Sequence, residues 1–356
     1  MTPTYIIAEA GVNHNGSLDL AQKLVYAAKD AGADAVKFQT FRADALASSA
    51  APKAAYQERL TEAGESQLEM LKKLELSRDA HETLLALTRE LGLAFLSTPF
   101  DLGSLRLLDE LGLTTIKLPS GEITNAPLLF ETARRGKQVI LSSGMSTLGD
   151  TEDALSFLAL GYLAPEAAPS LNAARDAYAA PEARAVLEAS VTLLHCTTEY
   201  PAPFEDVNLA VLGTLRTAFG LRVGFSDHTP GMAASVAAVA LGAQVIEKHL
   251  TLDRTLPGPD HKASLEPADF AALVTAVRQV EQALGSRVKV PTASERPNRA
   301  VARKSLVAAL PIRAGEPFTA ANLTLKRPGT GVSPLYFYDY LGRAAERDFT
   351  ADEVIS

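Results

Sequence analysis

One unit repeats through most of this 356-residue chain: a helical stretch, a glycine, a short apolar strand, then a polar or charged cluster. Ser17 is placed to cap a helix whose Leu20, Leu24, Ala27 and Ala31 share one face, and Gly32 closes it before the strand Ala35–Thr40. The same order returns with Gly92 before Ala94–Thr98, Gly112 before Thr115–Pro119 and Gly136 before Val139–Ser143. It returns again with Gly220 before Val223–His228 and Gly242 before Val245–His249. Each glycine fits the left-handed position that ends a helix. With Tyr5–Ala8 first and Val191–Cys196 sixth, the strands number eight, which predicts an α/β fold of the (β/α)8 TIM-barrel type. An open doubly wound sheet lacks support, because no Gly-x-Gly-x-x-Gly turn follows the first strand.

The repeat has three breaks. Ala43–Ser77 is too long for a turn and reads as a lid or specificity loop, while Leu160–Ala189 reads as an extended helical insertion. Near Gly285 the pattern stops, so the barrel is assigned to 1–285. The polar segment 286–300, with Pro291 and Pro297, reads as a linker, and 301–356 as a small β-rich domain with a thin core of its own. A formal charge of −8 gives no basic surface for nucleic acid or an anionic membrane, so any anionic substrate must meet a few placed lysines and arginines. No apolar run approaches membrane-spanning length, and Cys196 is the single cysteine. A cytoplasmic, reducing setting is the expectation.

In a barrel of this type the chemistry lies at the carboxyl ends of the strands. Glu9 falls where the first strand should still be buried, a costly place for an unpaired carboxylate, and so reads as functional. Asn15-Gly16 reads as turn chemistry. Lys37 and Gln39 share strand parity, and Lys117 interrupts the fourth strand as Lys37 does the second. A lysine so placed usually snorkels to water. Two of them with Thr98, Ser120, Ser142 and Ser143 around one barrel mouth instead form a phosphate-binding set. Among the six histidines, His81 reads as a surface residue, His14 as an exposed turn residue and His195 as a hydrogen-bonded core residue. His228 and His249 end adjacent strands, where imidazoles can converge on one metal ion and leave positions for water and substrate. Asp260-His261 follows in the loop after strand eight.

These clusters, in this order, resemble the bacterial sialic acid synthases. The segments that carry the likeness are Ile7–Gly16, Lys37–Thr40, Lys117–Glu122, His195–Pro201, Ser226–Thr229, Glu247–His249 and Gly258–His261. The likeness extends to the tail, where Arg303–Ser305 and Lys326–Gly329 resemble the family's antifreeze-protein-like (SAF) domain.

The resemblance implies condensation of phosphoenolpyruvate with N-acetylmannosamine and water, giving N-acetylneuraminate and phosphate. It implies that Lys37, Thr98, Lys117, Ser120 and Ser142 hold phosphoenolpyruvate, and that Gln39, Glu122, Tyr200 and Asp260 position the sugar. It further implies a divalent ion, Mn2+ or Mg2+, on His228 and His249, with Glu9 acting near the reacting carbons. Arg327 would reach the sugar from the partner's tail in a domain-swapped homodimer. One position departs: Thr198 stands where some family members place an asparagine that contacts phosphoenolpyruvate, and threonine is shorter. The same motifs are compatible with a 2,4-diacetamido-2,4,6-trideoxymannose acceptor, which would make the product a legionaminic acid. Another barrel aldolase using phosphoenolpyruvate fits less well because of the tail. A non-catalytic sugar- or ice-binding module has no use for the lysine and histidine set.

Overall fold

The computed structural model describes residues 3–54, 57–58, 61 and 64–356. The chain divides into two compact units, Met1–Gly285 and Ser286–Ser356. In the first, eight strands run in the order β3-β2-β1-β8-β7-β6-β5-β4, with every ladder parallel. They are β1 (Tyr5–Gly11), β2 (Ala35–Thr40), β3 (Ala94–Pro99), β4 (Thr115–Leu118), β5 (Gln138–Ser142), β6 (Val191–Cys196), β7 (Arg222–Asp227) and β8 (Val245–His249). β3 and β4 lie side by side at the seam, and helices intervene between successive strands. This is the predicted TIM barrel.

All six glycines of the repeat adopt positive φ, from 64° at Gly92 to 89° at Gly242. Gly92 shows the reason: it caps the helix Arg78–Leu91 and gives its N–H back to the carbonyls of Arg89 and Thr88. Ser17 caps Leu18–Asp30 as expected; Leu24, Ala27 and Ala31 of the expected face are buried together with Ala21, Val25 and Ala28, while Leu20 is half-buried.

Strand alternation decides what reaches the barrel axis. Ile7, Ala35, Leu96, Ile140, Leu194 and Val245, from six strands, pack into one apolar plug across the interior. Gly224 supplies the β7 position beside it. A Cβ there would sit 2.5 Å from the Val245 carbonyl oxygen and 2.6 Å from a Leu194 methyl, so no larger residue fits. Outward-pointing residues pack under the helices, and even a charged pair is accommodated there: Lys248 Nζ lies 3.1 Å from Asp227, both fully buried.

The breaks in the repeat are more ordered than the sequence implies. Ala43–Leu46 and Gln67–Lys72 are short helices, the second held by a Ser66–Glu69 capping box. Residues 55–56, 59–60 and 62–63 of the expected specificity loop lie outside the described residues. The expected insertion contains the helices Leu171–Ala179 and Ala183–Ser190. The expected linker is partly helical: Arg296–Ala302 is a helix with Pro297 in its first turn, where a missing N–H costs nothing. Pro297 thus starts a helix here and does not break one.

In the second unit β9 (Ser305–Ala308) pairs antiparallel with β10 (Leu323–Lys326). Its core is Leu306, Ile312, Phe318, Leu323, Phe349 and Ile355. Among the described residues, no helix is long and apolar enough to cross a membrane.

Candidate active site

Two residues beyond each member of the apolar plug, on the same inward face, the chain turns polar: Glu9, Lys37, Thr98, Ser142, Cys196 and Glu247. Lys117 of β4 and Ser226 of β7 join them in lining one cavity of about 390 Å³. Gln39, Thr198, His228 and His249, another two residues on, stand nearer its mouth together with Tyr200 and Asp260. The cavity floor is therefore a direct product of strand parity.

Four charges are buried there. Glu9, Lys37, Lys117 and Glu247 are each at most 4% exposed, so each depends on its neighbours for compensation. The β1–β2 register sets Glu9 opposite Lys37, and their charged groups meet at 2.8 Å. Lys37 Nζ also donates to Thr98 Oγ1 at 3.1 Å and lies 3.8 Å from Glu247. Burial pushes the Glu9 carboxyl up; Lys37 opposes this, and Glu247 reinforces it. Burial also raises Glu247, but Lys117, Lys37 and the Ser226 hydroxyl outweigh it and hold the carboxyl low. Lys117 is the less satisfied cation. Its nearest carboxylate, Glu247, is 3.6 Å away, and burial pulls its pKa down. A bound anion would relieve that deficit.

The same cavity holds hydroxyls without partners. Ser142 Oγ and Thr198 Oγ1 are buried and make no hydrogen bond. Ser120 Oγ accepts from the Gly144 N–H at 2.8 Å and lies 3.0 Å from Cys196 Sγ. Gly144 closes this corner. A Cβ on it would come within 2.4 Å of Thr198 Oγ1, 2.8 Å of Ser120 Oγ and 2.9 Å of Cys196 Sγ. Unpaired donors in one cavity with a buried ammonium are chemically suited to hold an anion. Thr198 Oγ1 lies at this corner, next to where a Cβ on Gly144 would stand.

His228 and His249 face each other with ring centres 5.4 Å apart, and Tyr200 packs against both. The Nδ1–H of His228 donates to the Thr197 carbonyl at 2.6 Å, so its Nε2 carries the lone pair, with Ser226 Oγ 3.5 Å away. Burial holds His228 at about 4, and His249 well below its ordinary value, so both rings are neutral near pH 7. Nδ1 of His249 is buried with no hydrogen bond, 3.7 Å from Asp260 Oδ2. Burial raises Asp260 to about 6. Two neutral imidazoles at this separation can both approach one ion at about 2 Å. Among the described residues no group of three or more His, Cys, Asp or Glu side chains is arranged to hold a metal, so an ion here would depend on water and substrate for its other ligands.

The mouth is walled by the 43–77 segment, through Leu46, Gln57, Gln67, Met70, Leu71 and Leu74. Two expected residues, Glu122 and Ser143, are not in the cavity wall. Glu122 is turned to Asn125, whose side-chain N–H donates to it at 2.6 Å. Arg327 belongs to the second unit, where its Nε donates to the Ala302 carbonyl at 3.0 Å. Ser143 also turns away and donates to the Leu194 carbonyl at 3.1 Å.

The histidine readings divide. His195 is hydrogen-bonded to the Val207 carbonyl at 2.6 Å, as expected. His81 and His14 are fully buried, not exposed. His81 is on the core face of its helix, bridging Thr40 Oγ1 and the Ser77 carbonyl, and His14 Nδ1 accepts from the Gly16 N–H. Glu247 was missed as a site residue, although its parity with His249 on β8 was enough to place it inward.

Comparison with known proteins bears on this geometry. The model of the NeuB family matches residues 24–289, and that of the SAF domain matches 303–356. The chain is 50% identical to the N,N'-diacetyllegionaminic acid synthase of Campylobacter jejuni, over 100% of this chain and 99% of that one. It is 43% identical to the enzyme of the same name from Legionella pneumophila, over 98% and 92%. Among solved structures it is similar to an N-acetylneuraminic acid synthetase from Leptospira borgpetersenii crystallised with citrate. That match has 33% identity, a TM-score of 0.67, and coverage of 83% of this chain and 90% of that one.

Proposed function

This chain belongs to the NeuB family, and on that premise we propose that it condenses phosphoenolpyruvate with 2,4-diacetamido-2,4,6-trideoxymannose to give N,N'-diacetyllegionaminate and phosphate. The family resemblance implies N-acetylmannosamine as acceptor, with the trideoxy sugar as the alternative, and the motifs do not separate the two. Similarity at 50% and 43% to two legionaminic acid synthases supports the alternative. The observation that carries the catalytic part is the buried floor, two lysines and unpartnered hydroxyls within one cavity with two neutral imidazoles.

In this reading Lys117, Lys37, Ser120, Ser142, Thr98 and Thr198 hold the phosphate and carboxylate of phosphoenolpyruvate. The vinylic C3 is thereby turned toward the sugar aldehyde, and holding two reactants together removes part of the entropic barrier. A divalent ion, Mn2+ or Mg2+, on His228 and His249 would polarise the aldehyde. As C3 bonds to the aldehyde carbon, positive charge grows at C2, and Glu9, in its ionised form paired with Lys37, faces it until water adds there. The proton lost by that water balances the one gained by the aldehyde oxygen, and the resulting C2 hemiketal phosphate collapses: the C2–O bond to phosphate breaks, C2=O forms, and phosphate leaves with the hydroxyl proton. Gln39, Tyr200 and Asp260 orient the sugar, while Glu122 and the tail's Arg327 are assigned to it only by the family likeness. A domain-swapped homodimer and a cytoplasmic setting belong to the same reading; the single cysteine is consistent with the latter.

The test is phosphate release from phosphoenolpyruvate with each sugar, with and without a chelator. Release that requires both the trideoxy sugar and a divalent ion supports the reading. Turnover of N-acetylmannosamine alone would reinstate the neuraminate assignment, and undiminished turnover in excess chelator would remove the metal.

A further inference from the structure

The cavity is chemically two-faced. Its floor carries Glu9, Lys37, Lys117 and Glu247, whereas the wall opposite is a separate apolar cluster of Val12, Phe41, Met70 and Leu74, with Leu46, Leu71 and Phe100 packed on it. Phe41 alone of these seven is not exposed to the cavity. Two polar residues stand in this wall: Gln67, one helical turn from Leu71 on the helix Gln67–Lys72, and Gln57, whose Oε1 accepts from the Gln67 amide at 3.4 Å.

Resting on the reading above, the acceptor's orientation is constrained by chemistry. Its aldehyde carbon must lie at the histidine and lysine end, so its far end, C4 to C6, meets the 43–77 wall. We infer that Met70, Leu71 and Leu74 with Gln67 form the specificity face, selecting a sugar that carries a methyl group rather than a hydroxymethyl at C6 and an amide at C4. A hydroxyl pressed on Met70 and Leu71 loses its water and gains no partner, whereas a methyl loses nothing. The Gln67 amide can both donate to and accept from an acetamido group. Discrimination by an apolar face of this kind is about 10- to 100-fold.

The experiment measures kcat/KM for the trideoxy sugar and for N-acetylmannosamine in wild type, Leu71→Ser, Met70→Thr and Gln67→Leu. Leu71→Ser and Met70→Thr should lower the preference for the trideoxy sugar about tenfold, with the KM for phosphoenolpyruvate within about twofold of wild type. Gln67→Leu should weaken the trideoxy sugar selectively. Leu71 and Gln67 are only half-buried, so these two variants decide the matter if the buried Met70 substitution fails to fold. A wild-type enzyme that turns over the trideoxy sugar, with variants that slow both sugars equally, overturns the inference alone. A wild type that rejects the trideoxy sugar overturns the reading and the inference together.

Discussion

The floor of the cavity and its 43–77 wall are built by opposite means. The floor consists of strand ends fixed by seven parallel ladders, with Glu9 set opposite Lys37 by the β1–β2 register. The wall consists of two short helices and connecting chain, apolar toward the cavity, stabilised by a capping box and a small cluster. A reaction that must position two lysines and two imidazoles needs the first kind of support. A preference among similar sugars needs only the second, which can change without disturbing the ladders.

If this division holds, the largest losses come from the floor. His228→Ala or His249→Ala should abolish metal-dependent turnover, measured as phosphate release over a titration of Mn2+. Wild-type rates in either variant would show that the rings serve only packing. Lys117→Ala should follow, with kcat/KM for phosphoenolpyruvate down by about 100- to 1,000-fold and the sugar KM little moved. Equal losses toward both substrates would break the division. Gly144→Ala forces a methyl into Ser120, Cys196 and Thr198 and should cost about 10- to 100-fold on phosphoenolpyruvate. A neutral result would show that the corner is not used.

A smaller effect concerns stability. Asp260 has a folded-state pKa of about 6, above its unfolded value of 3.8, because it is buried. Between those values the folded form keeps a proton that the unfolded form has lost. Its contribution to stability is therefore full at low pH and lost as pH rises through about 6. Asp260→Asn, which never ionises, should gain in Tm over wild type by a few degrees as pH increases from about 5 to 7.5. A Tm difference that does not change with pH would place the Asp260 carboxyl in water.

The division also explains what could be read from sequence. Alternation and the helix-closing glycines made the strands legible, and with them Glu9, Lys37, Thr98, Lys117 and Ser142. Glu247 was equally determined by parity, yet it stood inside a motif whose histidine drew attention. His81 and His14 were misread because burial on a helix face or in a turn depends on what packs above it, here Thr40, Phe95 and Phe38. The wall was legible only as a long interruption. Which of its side chains face the cavity is decided by tertiary packing and not by period.

Calorimetric titration of phosphoenolpyruvate into wild type, Lys117→Ala and Leu71→Ser tests the separation of floor from wall most directly. Binding should be lost or weakened at least about tenfold in Lys117→Ala and unchanged in Leu71→Ser. Comparable weakening in both variants, or in neither, would contradict it.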